Sequence, residues 1–200
     1  MNLPNKLTVL RLILVPVIMV AMLLLRNTTI PYGVISALIF GAASYTDMLD
    51  GKIARRDNLI TDFGKFLDPL ADKFMVIGAM MMLIFRHGGV LQICLTIAAT
   101  VVVFRELAVT SIRLVASGSG VVVAANMLGK IKTVSQIIFI LCALLEPVIF
   151  EVASIVFRMD LVKYDYHVLT YVTMAVSTFF AVLSGVNYLK SYWKFLDPEK

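Results

Sequence analysis

Six stretches of this chain are apolar over roughly the length an α-helix needs to cross a bilayer, about 20 residues. They cover roughly 7–25, 31–50, 69–85, 89–112, 127–150 and 166–189, with charged or turn-forming clusters between them. The pattern predicts an all-α fold, a polytopic membrane protein built as a six-transmembrane-helix bundle. The third run is the shortest. The fourth carries Arg105, Glu106 and Arg113 in its second half, where a charge facing lipid would be costly, so these side chains are expected to face a polar cavity or the cytoplasmic interface.

Composition agrees with the pattern: 60% of the 200 residues are hydrophobic and 16% charged, outside the range of ordinary soluble domains. Nothing in 1–200 resembles a second soluble domain, a repeat array or a low-complexity linker, so one domain is expected. Cys94 and Cys142 lie in separate apolar runs without CxxC or Cys/His spacing, which suggests neither a disulfide framework nor a zinc site. The first apolar run is too long for a signal-peptide core and no A-x-A-like cleavage site follows it, so it is read as a membrane helix.

With six spans both termini share a side, and the basic residues choose it. Fourteen of the 18 Lys and Arg residues fall on the side of the termini; Arg26, Arg86, Arg158 and Lys163 fall on the other. The termini are therefore expected to be cytoplasmic. The net charge of +5 then faces anionic headgroups and requires no nucleic-acid partner. His87 and His167 lie on the outer side, away from this chemistry. Trp193, with Tyr188 and Tyr192, reads as an aromatic belt at the inner interface. Residues 146–165 are read as an outer loop with a short interfacial helix, and 116–126 as an inner connection whose "GSG" follows no strand and marks a turn.

The candidate chemistry lies in "DMLDGKIARRDNLITDFGKFLDPLAD", residues 47–72. If the second helix continues past Asp50, Asp47, Asp50, Gly51 and Ala54 share an arc of about 100°. Two carboxylates three residues apart can grip a hard cation, and small residues beside them let a bulky ligand approach the backbone. Asp68 and Asp72, four apart, share a face too if the third helix has begun by then. Four carboxylates meeting from two helices would repel unless divalent metal neutralised them, an arrangement that suits Mg²⁺ or Mn²⁺, as one ion or a pair, on a phosphorylated substrate. Asp68 before Pro69 also fits an N-cap and first helical residue, Arg55 and Arg56 fit interfacial anchors, and Asp57, Asn58 and Asp62 fit turn and loop positions.

The stretch resembles the signature of the CDP-alcohol phosphatidyltransferase family, D-x-x-D-G-x-x-A-R, eight residues, then G-x-x-x-D-x-x-x-D. Asp47, Asp50, Gly51, Ala54, Arg55, Gly64, Asp68 and Asp72 match it at every fixed position. The flanking "LPNKLTVLR", "REL…RLVA" and "GKIKT" resemble those family members whose acceptor is sn-glycerol 3-phosphate.

The resemblance implies attack of an acceptor hydroxyl on the β-phosphorus of CDP-diacylglycerol, with CMP leaving, at a cytoplasmic-side active site in the bacterial inner (plasma) membrane. It implies that Asp47, Asp50, Asp68 and Asp72 hold two metal ions, Mg²⁺ or Mn²⁺, and that Asp72 is also the general base. It implies that Gly51, Ala54 and Gly64 make room for the cytidine nucleotide, that Arg55 contacts its phosphates, and that the chain forms a homodimer among membrane lipids. A dianionic acceptor needs cations of its own; Arg105, Arg113, Lys130 and Lys132 remain after the signature and suggest a phosphate pocket, or else positive-inside anchoring. Asn5, Thr8 and Arg11 are candidates to line the nucleotide or lipid access. Two alternatives stay open: the same chemistry with another acceptor (cardiolipin, phosphatidylserine or phosphatidylinositol-phosphate synthesis), or a cation transporter, which would instead place acids near the bilayer midplane.

Overall fold

The computed structural model describes residues 2–56, 61–118, 126–158 and 167–193. They form six helices: α1 (Leu3–Leu24), α2 (Ile30–Arg56), α3 (Asp62–Arg86), α4 (Gly89–Gly118), α5 (Met127–Phe157) and α6 (Val168–Tyr192). No strand occurs among the described residues. Local chemistry sets the helix ends. The Asn2 side chain accepts from the Asn5 amide at 3.2 Å to start α1, and that of Asn126 accepts from the Leu128 amide to start α5. At the start of α6 a carboxylate from another helix takes this part. Glu146 accepts from the amides of Leu169 and Thr170, both at 2.7 Å, and from the Thr170 hydroxyl at 2.6 Å, placing a negative charge at the positive end of the helix dipole.

The bundle is apolar on its outside and carries polar groups within. Leu24, Leu38, Val90, Phe104, Val172 and Phe179 are exposed, whereas Arg11, Ser36, Gln136, Thr170, Ser177 and Ser184 are buried. This distribution suits hydrocarbon as solvent. α1 packs on α2 and α3, α5 on α2 and α6, and α4 on α3 and α6. Phe40, Leu83, Phe139, Ile140 and Leu144 fill the centre. The α2–α5 contact depends on Gly33, where a Cβ would lie 2.3 Å from Val148 Cγ2 and 2.4 Å from the Leu144 carbonyl oxygen.

Among the described residues, five helices, α1, α2, α4, α5 and α6, are long and apolar enough to cross a membrane. α3 is 25 residues long, but its first half carries Asp62, Lys65, Asp68, Asp72 and Lys73.

Three sequence expectations need correction. α3 begins at Asp62, not near 69: the Thr61 hydroxyl accepts from the Gly64 amide at 3.1 Å and caps the helix there, so Asp68 and Pro69 sit inside it and Asp62 is helical rather than a loop residue. Residues 146–157 continue α5 as regular helix, because their apolar content sustains it. Tyr188 is buried, at 2% exposure, while Trp193 remains exposed; a tyrosine with cations to meet inside the bundle faces inward. The expected turn at Asp57 and Asn58, residues 119–125 of the inner connection, and residues 159–165 of the outer loop lie outside the described residues.

Candidate active site

α1 and α3 run parallel and meet through matched polar positions. Asn5 Oδ1 accepts from the Thr61 hydroxyl at 3.0 Å. One turn on, the Thr8 hydroxyl donates to Asp68 Oδ1 at 2.6 Å. Another turn on, Arg11 Nη1 lies 2.6 Å from Asp72 Oδ1 and 2.6 Å from Asp47 Oδ1. The spacing of 5, 8 and 11 on α1 presents these three side chains in succession to one neighbour. The helical continuation of α2 past residue 50 brings Asp47 to the same place.

Arg11 is fully buried, while the Asp47 and Asp72 side chains keep about a third to two-fifths of their surface open. The guanidinium therefore lies beneath the carboxylates, which face outward from the bundle end. Because both oxygens touch one nitrogen, they lie no further apart than twice that contact distance. Oxygen donors this close, with Asp68 one helical turn away, fit a small hard cation. Among the described residues no three acidic, His or Cys side chains are grouped closely enough to hold a metal unaided. The side chains of Asp50, Ala54 and Arg55 lie outside the described residues, although their backbone belongs to α2.

Gly51 lies in α2, one residue beyond Asp50. Gly64 is buried against α1: a Cβ there would stand 3.0 Å from Asn5 Oδ1, 3.3 Å from Thr61 Oγ1 and 3.8 Å from Asp68 Oδ2. Its missing side chain lets α3 approach α1 closely enough for the Thr8–Asp68 bond.

The basic candidates gather on the other side of α3. Lys73, next to Asp72 in sequence, reaches the hydroxyl of Thr110 on α4. That hydroxyl donates to the Glu106 carbonyl oxygen at 2.7 Å. Arg105 Nη1 donates to Glu106 Oε1 at 3.0 Å, and Lys132 of α5 pairs with the same oxygen. Arg105 Nε also donates to Ser184 Oγ of α6 at 3.0 Å. Its aliphatic stem lies over Gly185, where a Cβ would stand 3.1 Å from Arg105 Cγ.

Arg113 donates to the Tyr188 hydroxyl at 2.8 Å, and the Asn126 amide donates to it at 3.2 Å. The guanidinium carbons of Arg105 and Arg113 lie 5.8 Å and 5.2 Å from the Tyr188 ring centre. The structure thus brings Arg105, Arg113 and Lys132 into one cluster, whereas Lys130 is exposed in the first turn of α5. Glu106, Tyr188 and Lys73 were not singled out as site residues from sequence. The available signal was a carboxylate next to an arginine inside an apolar run.

An acidic cluster and a cationic cluster thus flank α3. The CDP-alcohol phosphatidyltransferase profile matches residues 1–183. The chain belongs to that family. It is 43% identical over 206 residues to the CDP-diacylglycerol–glycerol-3-phosphate 3-phosphatidyltransferase of Bacillus subtilis (strain 168), covering 98% of this chain and 97% of that protein. The Rickettsia felis protein of the same name is 33% identical over 195 residues, covering 97% of each. That of Salmonella choleraesuis is 36% identical over 151 residues, covering 73% of this chain and 78% of its own. The signature carboxylates Asp47, Asp68 and Asp72 thus stand together with Arg11 and Thr8 in a member of this family.

Proposed function

We propose that this chain transfers the phosphatidyl group of CDP-diacylglycerol to sn-glycerol 3-phosphate, giving phosphatidylglycerophosphate and CMP. The observation that carries the reading is the convergence of Asp47 and Asp72 on Arg11, in a chain matched along 98% of its length by a relative with that named activity.

In this reading Asp72 accepts the proton of the acceptor hydroxyl, the hydroxyl oxygen bonds to the β-phosphorus, and the bond from that phosphorus to the CMP oxygen breaks. Asp47, Asp50, Asp68 and Asp72 would hold two Mg²⁺ or Mn²⁺ ions, which when bound would offset the negative charge of the diphosphate and of the departing CMP. Arg11 and Thr8 orient the carboxylates from below. Gly51, Ala54, Arg55 and Gly64 form the nucleotide side, and Arg105, Arg113, Lys130 and Lys132 the acceptor side.

The same reading makes residues 1–200 one domain with six spans, α3 included. Its charged half then sits at the cytoplasmic interface with both termini, in a bacterial inner membrane, and the chain works as a homodimer. The test is CMP release and lipid product from purified protein with CDP-diacylglycerol, Mg²⁺ or Mn²⁺, and glycerol 3-phosphate. Metal-dependent phosphatidylglycerophosphate supports the reading; turnover only with serine, inositol phosphate or phosphatidylglycerol would replace the acceptor.

A further inference from the structure

The buried charges between α3, α4, α5 and α6 do not balance. Arg105, Glu106 and Lys132 are each less than a tenth exposed, and half-buried Lys73 is held beside them by the Thr110 hydroxyl, which itself donates to the Glu106 carbonyl oxygen. Arg105 and Lys132 pair with the Glu106 carboxylate and Lys73 stands on the Thr110 hydroxyl beside it, three cations to one anion and an excess of two positive charges; Arg113 lies two turns further along α4, on the Tyr188 hydroxyl. Uncompensated charge of this size inside a membrane bundle is costly unless an anion completes it. A phosphate monoester, with a charge of about −2 near neutral pH, supplies that complement.

Glu106 decides where these cations stand. One of its oxygens takes Arg105 from its own helix and Lys132 from α5. Without it, two buried like charges would repel in a low-dielectric setting and separate. Its removal would also raise the excess to three.

We propose that Glu106 is a positioning residue for the acceptor phosphate, holding Arg105 and Lys132 at the spacing a phosphate monoester needs and setting the net charge of the pocket. This rests on the acceptor reading above and adds the residue that organises its cations. Glu106 touches neither substrate in this scheme; it acts through its two partners.

The experiment compares wild type, Glu106→Gln and Glu106→Asp in detergent micelles, with KM for each substrate measured separately. A second measurement follows the rise in unfolding temperature on adding inorganic phosphate. Glu106→Gln keeps shape and loses charge, so KM for glycerol 3-phosphate should rise about tenfold or more, the scale of a lost charge-assisted contact. KM for CDP-diacylglycerol should stay within about twofold, and Glu106→Asp should recover part of the loss. Phosphate should stabilise wild type and not Glu106→Gln.

An unchanged or lowered KM for glycerol 3-phosphate in Glu106→Gln, or an equal loss toward both substrates, would overturn the proposal. If Glu106→Gln does not fold, Glu106→Asp carries the same comparison, and a selective rise in its acceptor KM is the supporting result. If wild type fails to use glycerol 3-phosphate, the acceptor reading falls. The phosphate shift then decides the cluster: Glu106-dependent, it keeps a phosphate site here; absent, the inference falls too.

Discussion

Arg11 Nη1 meets Asp72 Oδ1 at 2.6 Å across 61 residues of sequence, and the same nitrogen holds Asp47. A fully buried guanidinium thus lies under two half-open carboxylates at the end of the bundle.

This geometry predicts a metal-dependent stability defect. Arg11→Met leaves Asp47 and Asp72 facing each other without their cation, at a cost of roughly 2–3 kcal/mol in the presence of chelator. Under the proposed function, in which a divalent ion would neutralise the same pair, Mn²⁺ should restore part of the loss. Thermal unfolding with EDTA and with Mn²⁺ reads both values; equal losses in the two conditions would separate Arg11 from the proposed metal site.

Asp72→Asn should lower CMP release by at least about a hundredfold, the range of general-base catalysis, with a normal gel-filtration profile. Retained turnover would assign the base elsewhere.

Gly33→Ala should destabilise without touching the chemistry. Its Cβ would press within 2.4 Å of the Leu144 carbonyl, and backbone cannot yield as a flexible side chain can, so a loss of about 1–3 kcal/mol is expected in thermal unfolding. Activity per folded molecule should be unchanged, because the contact lies away from the carboxylates.

Glu146→Gln is the matching test on α6. It removes the charge that takes two amide hydrogens and a hydroxyl at the helix start, with an expected loss of about 1–2 kcal/mol. Again KM for both substrates should hold, because Glu146 and the carboxylate site are at opposite ends of the bundle.

Thiol labelling in intact cells, in a background lacking Cys94 and Cys142, tests the six-span arrangement. Arg56→Cys and Lys190→Cys should be protected from an impermeant reagent added outside, and Gly88→Cys should be labelled. Protection of position 88 together with position 56 would remove α3 as a span, because the two positions flank that helix.

Much of the site was legible because helical spacing is local. Asp47, Asp50, Gly51 and Ala54 could be placed on one face before any neighbour was known, and α2 does continue past residue 50. Where one helix would start was less legible: the Thr61 cap at the head of α3 competed with the plausible Asp68–Pro69 start, and choosing between them needed the Asn5–Thr61 contact with α1. Tyr188 shows the same limit. Near Tyr192 and Trp193 it reads as an interface anchor, yet its hydroxyl accepts from Arg113 and from the Asn126 amide inside the bundle.

By itself the sequence determined the all-helical membrane character and the identity of the acidic signature, because hydropathy and residue spacing are properties of contiguous segments. Only the tertiary structure decided which cation answers which carboxylate: Arg11 for Asp47 and Asp72, Arg105 and Lys132 for Glu106. Those pairings join helices far apart in the chain, and in a low-dielectric interior a few ångströms of packing settle which charges are compensated and which remain for a ligand.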